Sequence, residues 1–177
     1  MSKFEERQDV VIIDAAVDSH IGHAIMHLSN NDLVSSLNPE WIGRVKAGGR
    51  FDDSTWEGEL KVRTITLDQL IADHGCPEFI KIDVEGHELK VLEGLSTPVK
   101  SLSFEYTPED IETAIKCIER LQSIGNFYYD SSPGETFVMN IGKYVEPDDI
   151  IDSLLSIANR DGEPSGDVYA ILTHNYS

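Results

Sequence analysis

The sequence predicts an α/β fold in which strands alternate with helices along an open, mostly parallel sheet. Three observations carry the prediction: apolar runs of strand length, stretches between them with apolar residues three and four apart, and capping residues at the junctions. "VVIID" (10–14), continuous and β-branched, predicts a buried strand. After a turn at 18–22, "HAIMHL" (23–28) alternates and predicts a second strand, whereas 30–58 has polar clusters, glycines and little period and predicts a long loop. "LKVRTI" (60–65) is a further strand. Thr66 and Gln69 then have capping-box spacing at the start of a helix, LDQLIADH (67–74), which Gly75 closes. "FIKIDV" (79–84) returns as a strand, and Leu89, Val91, Leu92 and Leu95 follow at helical spacing around Gly94.

The second half repeats that logic. VKSLSFEY (99–106) predicts a strand, and Thr107 the cap of a helix that begins with Pro108, buries Ile111, Ile115, Ile118 and Leu121, and ends at Gly125. NFYYD and TFVMN flank SSPGE as two short strands around a turn. A helix is expected at 147–158, with Pro147 first and Ile151, Leu154, Leu155 and Ala158 inward, and VYAIL (168–172) closes the sheet.

Composition narrows the function. With 177 residues, 40% of them hydrophobic, the chain predicts one domain over 1–177 with a real core. The start, MSKFEERQD, has no signal character and no apolar run is long enough to span a bilayer; with the two cysteines far apart, a cytoplasmic protein with reduced thiols is expected. A formal charge of -18 without any basic stripe disfavours nucleic acid and anionic membranes as partners.

The chemistry concentrates in "FIKIDVEGHELKVLEG" (79–94), a strand-to-helix junction crowded with charge. In open α/β sheets ligands bind beyond the carboxyl ends of the strands, where Asp83 and Glu85 stand, with Gly86 turning the chain. Alternation puts Ile80, Ile82 and Val84 on one face and Lys81, Asp83 and Glu85 on the other, so Lys81 should be paired. Glu105 ends the neighbouring strand. The simplest role for these acids is to favour the helix N-terminus, a contribution of about 0.3–1 kcal/mol; two adjacent strands that both end in acid point further, to a site. His87 and Glu88 are expected on the surface of the helix's first turn.

These residues resemble the FkbM-type methyltransferases. The pattern stands as "TITLDQL" (64–70), "FIKIDVEGHELKVLEG" and "LSFEY" (102–106), in the family's order, and "DAAVDSHIGHA" (14–24) is similar to its third strand and turn; the resemblance is strongest over 9–130. It implies a Rossmann-like class I methyltransferase sheet, S-adenosylmethionine as cofactor, and O-methylation of a sugar or other small-molecule hydroxyl. Asp83, Glu85 and Glu105 would be the catalytic residues, positioning hydroxyls, accepting a proton or holding a cation.

One part of the family pattern is missing: the first strand with its glycine-rich turn, and a second strand ending in the acid that holds the ribose. The only substitute for that turn is Asp14, Ala15 and Ala16, the candidate cofactor-binding residues, and the roughly 67 residues from Asp14 to Lys81 are too few for the intervening units. The sheet is therefore expected to lack its first strand-helix units. A truncated reading frame, an enzyme completed by another chain, and a non-catalytic α/β binding or assembly module each follow from this, and an exposed sheet edge predicts a homo-oligomer or a complementing chain. No metal site is expected. His20, His23 and His27 have ligand spacing only on a helix, and on a strand His23 and His27 stand about 13 Å apart.

Overall fold

The computed structural model describes residues 9–134, 136, 138–160 and 162–173. The order is β1 (Ala16–Val17), β2 (Gly22–Ser29), α1 (Pro39–Ala47), β3 (Trp56–Ile65), α2 (Leu67–His74), β4 (Ile80–Ile82), α3 (Glu88–Glu93), β5 (Ser101–Tyr106), α4 (Ile111–Gln122), β6 (Phe127–Pro133), α5 (Pro147–Ala158) and β7 (Gly166–Leu172). The α/β class holds, but two sheets form instead of one open, mostly parallel sheet. One has the order β1-β3-β2 and the other β4-β5-β7-β6. Only β1 with β3 and β4 with β5 are parallel; β2 with β3, β5 with β7 and β6 with β7 are antiparallel. Alternation of strand and helix marks the elements without fixing the direction in which the next strand enters.

Several local expectations change. "VVIID" is not a buried strand: Val11 is 70% and Ile12 57% exposed. Only Ala16 and Val17 pair with β3, and the Ala15 N–H turns back to the Ile13 carbonyl, so the run lacks the covering elements that burial on both faces requires. Residues 30–58 are not one loop, because Asn38 caps α1 by accepting from the N–H groups of Glu40 and Trp41, with Pro39 in the first turn. Its stripe of Trp41, Ile42 and Val45 is too short to register as a period, yet with Val34 it makes a small core of its own.

Thr66 accepts from the Gln69 N–H at 3.1 Å, as expected, but the Gln69 amide goes forward to Asp73, so only half of the capping box is made. Thr107 makes no cap bond; a 3-10 turn at Pro108–Asp110 precedes α4. Along α4, Ile111, Ile118 and Leu121 are buried together with Ala114 and Cys117, and Ile115 is half-buried. Of TFVMN, Thr136 and Val138–Asn140 form no strand, and Phe137 lies outside the described residues. β6 instead runs through the expected turn to pair with β7, and the buried Asp130 carboxylate gathers the N–H groups of Ser131, Ile141 and Gly142. α5 spans its expected residues, with a rotated buried face: Ile150, Leu154 and Ile157 point inward and Leu155 is 40% exposed.

The main core lies between the four-stranded sheet and α3, α4 and α5, around Leu92, Leu95, Leu102, Phe104, Ile118, Phe127, Ile150 and Val168. This packing holds the carboxyl ends of β4 and β5 side by side. Among the described residues, no helix is long and apolar enough to cross a membrane.

Candidate active site

The junction after β4 is a tight left-handed turn. Glu85 has φ 53°, the non-glycine residue among those described with positive φ, and Gly86 follows at φ 85°. A left-handed non-glycine residue costs about 1–3 kcal/mol and persists only where its surroundings enforce it. The enforcement comes from the segment expected to be a loop. Ser36 Oγ donates to the Glu85 carbonyl and Asn38 Nδ2 to the Gly86 carbonyl, each at 2.6 Å. The Trp41 ring lies where a side chain on residue 86 would be, 2.1 Å from the position of an added Cβ. Trp41 is anchored in turn by its Nε1, which donates to Thr107 Oγ1 at 3.1 Å, just past the end of β5.

Glu88 is not a surface residue; it is 3% exposed. It folds back to accept from the N–H groups of Gly86 at 3.1 Å and Val84 at 3.3 Å, and burial pushes its carboxyl up to about 7. His87 is half-buried, with Nε2 3.3 Å from Asp18 Oδ1. Burial lowers the His87 pKa against the pull of that carboxylate. Burial would raise the Asp18 pKa, but the Ser19 N–H and His87 outweigh it and hold the carboxyl below its ordinary value.

The expected alternation on β4 holds. Lys81, Asp83 and Glu85 face one way, and Lys81 Nζ lies 3.4 Å from Asp83 and 2.5 Å from Asp167 on β7. Burial lowers the ammonium pKa, but the two carboxylates more than offset it and the net shift is upward. Asp167 is the register partner of Glu105, so β7 supplies an acid that strand-end reasoning missed.

Oxygen atoms of Asp83, Glu85 and Glu105 lie within 4.8 Å of one another. Burial, then the neighbouring carboxylates led by Glu105, push Glu85 up to about 8. Burial, then Asp83, push Glu105 up to about 7, while the Ser165 hydroxyl pulls it down. Such a trio can share a proton near neutrality, orient a hydroxyl, or close on a cation.

The three residues expected at the cofactor turn lie between two hollows. Ala15 and Ala16 line a cavity of about 260 Å³ with Met26, Leu37, Asp83 and His87, which brings them to the carboxylates. On the other side Ala15 and Ala16 join Asp14 in lining a hollow over Leu60–Arg63 of β3, where Arg63 Nη2 donates to the Asp14 carbonyl. None of them makes a close backbone cradle. The next glycine, Gly22, would tolerate a Cβ at ordinary contact distance, 3.8 Å from its neighbours, so nothing there requires glycine. Residues 14–22 therefore do not form the glycine turn that the family uses for the adenosyl half of S-adenosylmethionine.

A mixed α/β frame with acids at adjacent strand ends, one of them protonated near neutral pH, is the architecture of an α/β enzyme or of a binding module built on one. Residues 2–126 match the model described as the Methyltransferase FkbM domain, and the chain belongs to that family. Over 62 residues, 34% of this chain, it is 39% identical to the hexuronic acid methyltransferase AglP of Haloferax volcanii, and the match spans 26% of that protein's length. No solved structure matches.

Proposed function

We propose that this chain forms the acceptor side of an O-methyltransferase acting on a hydroxyl of a sugar or other small molecule, on a frame derived from a Rossmann-like sheet. The observation that carries the reading is the Asp83, Glu85 and Glu105 trio at the ends of β4 and β5, in a chain of this family. The parallel β4-α3-β5 unit is the part of the frame that positions it.

Methylating a hydroxyl requires a proton acceptor beside the oxygen and alignment of the reactants. With Glu85 at about 8 and Glu105 at about 7, one carboxyl holds a proton near neutrality while the other is open to receive one. The open carboxylate accepts from the acceptor hydroxyl, and Asp83, fixed by Lys81, orients it. AglP is named for hexuronic acids. Three carboxylates repel an anion, so an acidic sugar would turn its own carboxylate away from the trio, and a neutral hydroxyl fits beside it.

Family membership implies S-adenosylmethionine as the methyl donor. Residues 14–22 form no glycine cradle for its adenosyl half, so a donor bound by this chain would be held by a surface other than the family's glycine turn. The absent cradle also favours a second reading, a non-catalytic binding module.

Calorimetric titration with S-adenosylmethionine separates the two, and transfer of labelled methyl to a panel of neutral and acidic sugars tests the chemistry. Glu85→Gln and Glu105→Gln are each expected to lower kcat by about 10²–10⁴-fold. Transfer that survives both substitutions refutes the assignment, and a folded chain that binds no donor supports the module.

A further inference from the structure

We propose that the open edge of β3 is a self-recognition surface that joins two copies of this chain in an antiparallel pair centred on Leu60. Among the described residues, the edge of β3 away from β2 is paired only at Thr64 and Ile65, by β1. Among the described residues, no backbone group hydrogen-bonds to that edge between Trp56 and Arg63. An unpaired strand edge of this length is a template for another strand.

The occupant follows from the charge pattern. Glu59, Lys61 and Arg63 lie on one face of β3, and Glu57 precedes them at a bulge that β2 leaves unpaired; all four are exposed, two acids followed by two bases. Pairing β3 with a second β3 in antiparallel register about Leu60 sets Glu57 opposite the other copy's Arg63 and Glu59 opposite its Lys61. Two-fold symmetry doubles this to four complementary pairs. Opposite charges directly across an antiparallel ladder are favourable, and like charges are not. Leu60, 52% exposed, meets its own copy at the dyad, and Gly58 faces Val62 on the apolar side of the strand. The paired segment, 57–63, ends where β1 begins to occupy the edge at Thr64, so the register is complete without displacing β1.

A strand from this chain competes for the same place. Running β1 backwards would set Ile13 opposite Lys61, and Ile13 and Asp14 do border a hollow with Leu60–Arg63, where Arg63 Nη2 donates to the Asp14 carbonyl at 3.5 Å. The run makes no ladder bond to β3 there, the Ala15 N–H turning back to Ile13, so a second copy displaces only that one side-chain contact. The interface is isologous, closes as a dimer, and leaves the carboxylate trio outside it.

Sedimentation equilibrium of the full chain tests the proposal, with circular dichroism to confirm that each variant folds. The wild type is expected to dimerise, more weakly at high salt. The Lys61→Glu/Arg63→Glu chain carries four acids on the strand and the Glu57→Lys/Glu59→Lys chain four bases. Each should self-associate on the order of a hundredfold more weakly than the wild type, and mixing the two should restore a one-to-one pair.

A cross-link reads the register directly. In a Cys76→Ser background, with Cys117 buried, Leu60→Cys should oxidise to a covalent dimer, because opposed Cα atoms at the dyad stand about 4.5–5.5 Å apart. Glu57→Cys should not, its copy lying about 20 Å away. A wild type that stays monomeric up to millimolar chain, a dimer indifferent to charge reversal, or cross-linking through residue 57 in preference to residue 60 would each overturn the proposal.

Discussion

Replacing Gly86 by alanine should be among the most damaging single-methyl additions available to this protein. Gly86 sits at φ 85°, where an L residue pays about 1–2 kcal/mol. The added Cβ would stand 2.1 Å from Trp41 Cγ, 2.3 Å from Cδ1 and 2.5 Å from Cβ, all far inside contact distance. The ring cannot step aside cheaply, since Trp41 is 1% exposed, packed on Ile42 and Val45, and bonded to Thr107. Overpacking of this kind adds about 1–3 kcal/mol, for a total loss of about 2–5 kcal/mol. The assay is urea unfolding followed by circular dichroism, with Gly142→Ala as the control. Gly142 has φ 77° and open space around its Cβ position, so it carries the backbone cost alone. Equal losses for Gly86→Ala and Gly142→Ala would refute the steric part of the reasoning, and with it the claim that Trp41 holds the turn.

Two further predictions concern the same region. Glu85 has its carboxyl raised to about 8 in the folded protein, so between the ordinary carboxylate range and that value the folded state binds the extra proton. Its stabilising contribution is present at low pH and lost as pH rises through about 8. Glu85→Gln should therefore stabilise the protein by about 1–3 kcal/mol at high pH and change little near pH 4, and equal effects at both ends would contradict the assigned burial. Asn38→Ala removes both the α1 cap and the donor to the Gly86 carbonyl. A loss of about 1–3 kcal/mol is expected in thermal unfolding, and Asn38→Asp, which keeps the cap acceptor but loses the amide donor, should recover only part of it.

Much of this site was legible because strand alternation and strand ends are local signals. Lys81, Asp83 and Glu85 share a face as period two requires, and Glu105 meets them because β4 and β5 are adjacent and parallel. The extents of α2 and α5 follow from Thr66, Gly75 and Pro147, each a residue whose chemistry starts or stops a helix. What escaped was non-local. Nothing near Gly86 in sequence announces that Ser36, Asn38 and Trp41 clamp it from almost fifty residues away, although the Asn38-Pro39 pair does signal a helix start. Glu88 reads as a first-turn surface acid until its carboxylate is seen to reach back to Val84 and Gly86. "VVIID" has the composition of a buried strand, and composition does not say whether neighbours are there to bury it.

The fit of the Trp41 indole against Gly86 also constrains how this chain can diverge. The ring fills the space a side chain at residue 86 would need, so the two positions do not drift independently. A lineage that shrinks residue 41 first opens room for a side chain at 86 and pays mainly in core packing. One that enlarges 86 first passes through a form with both the strain and the clash, so the two substitutions are ordered in time even where their end point is the same.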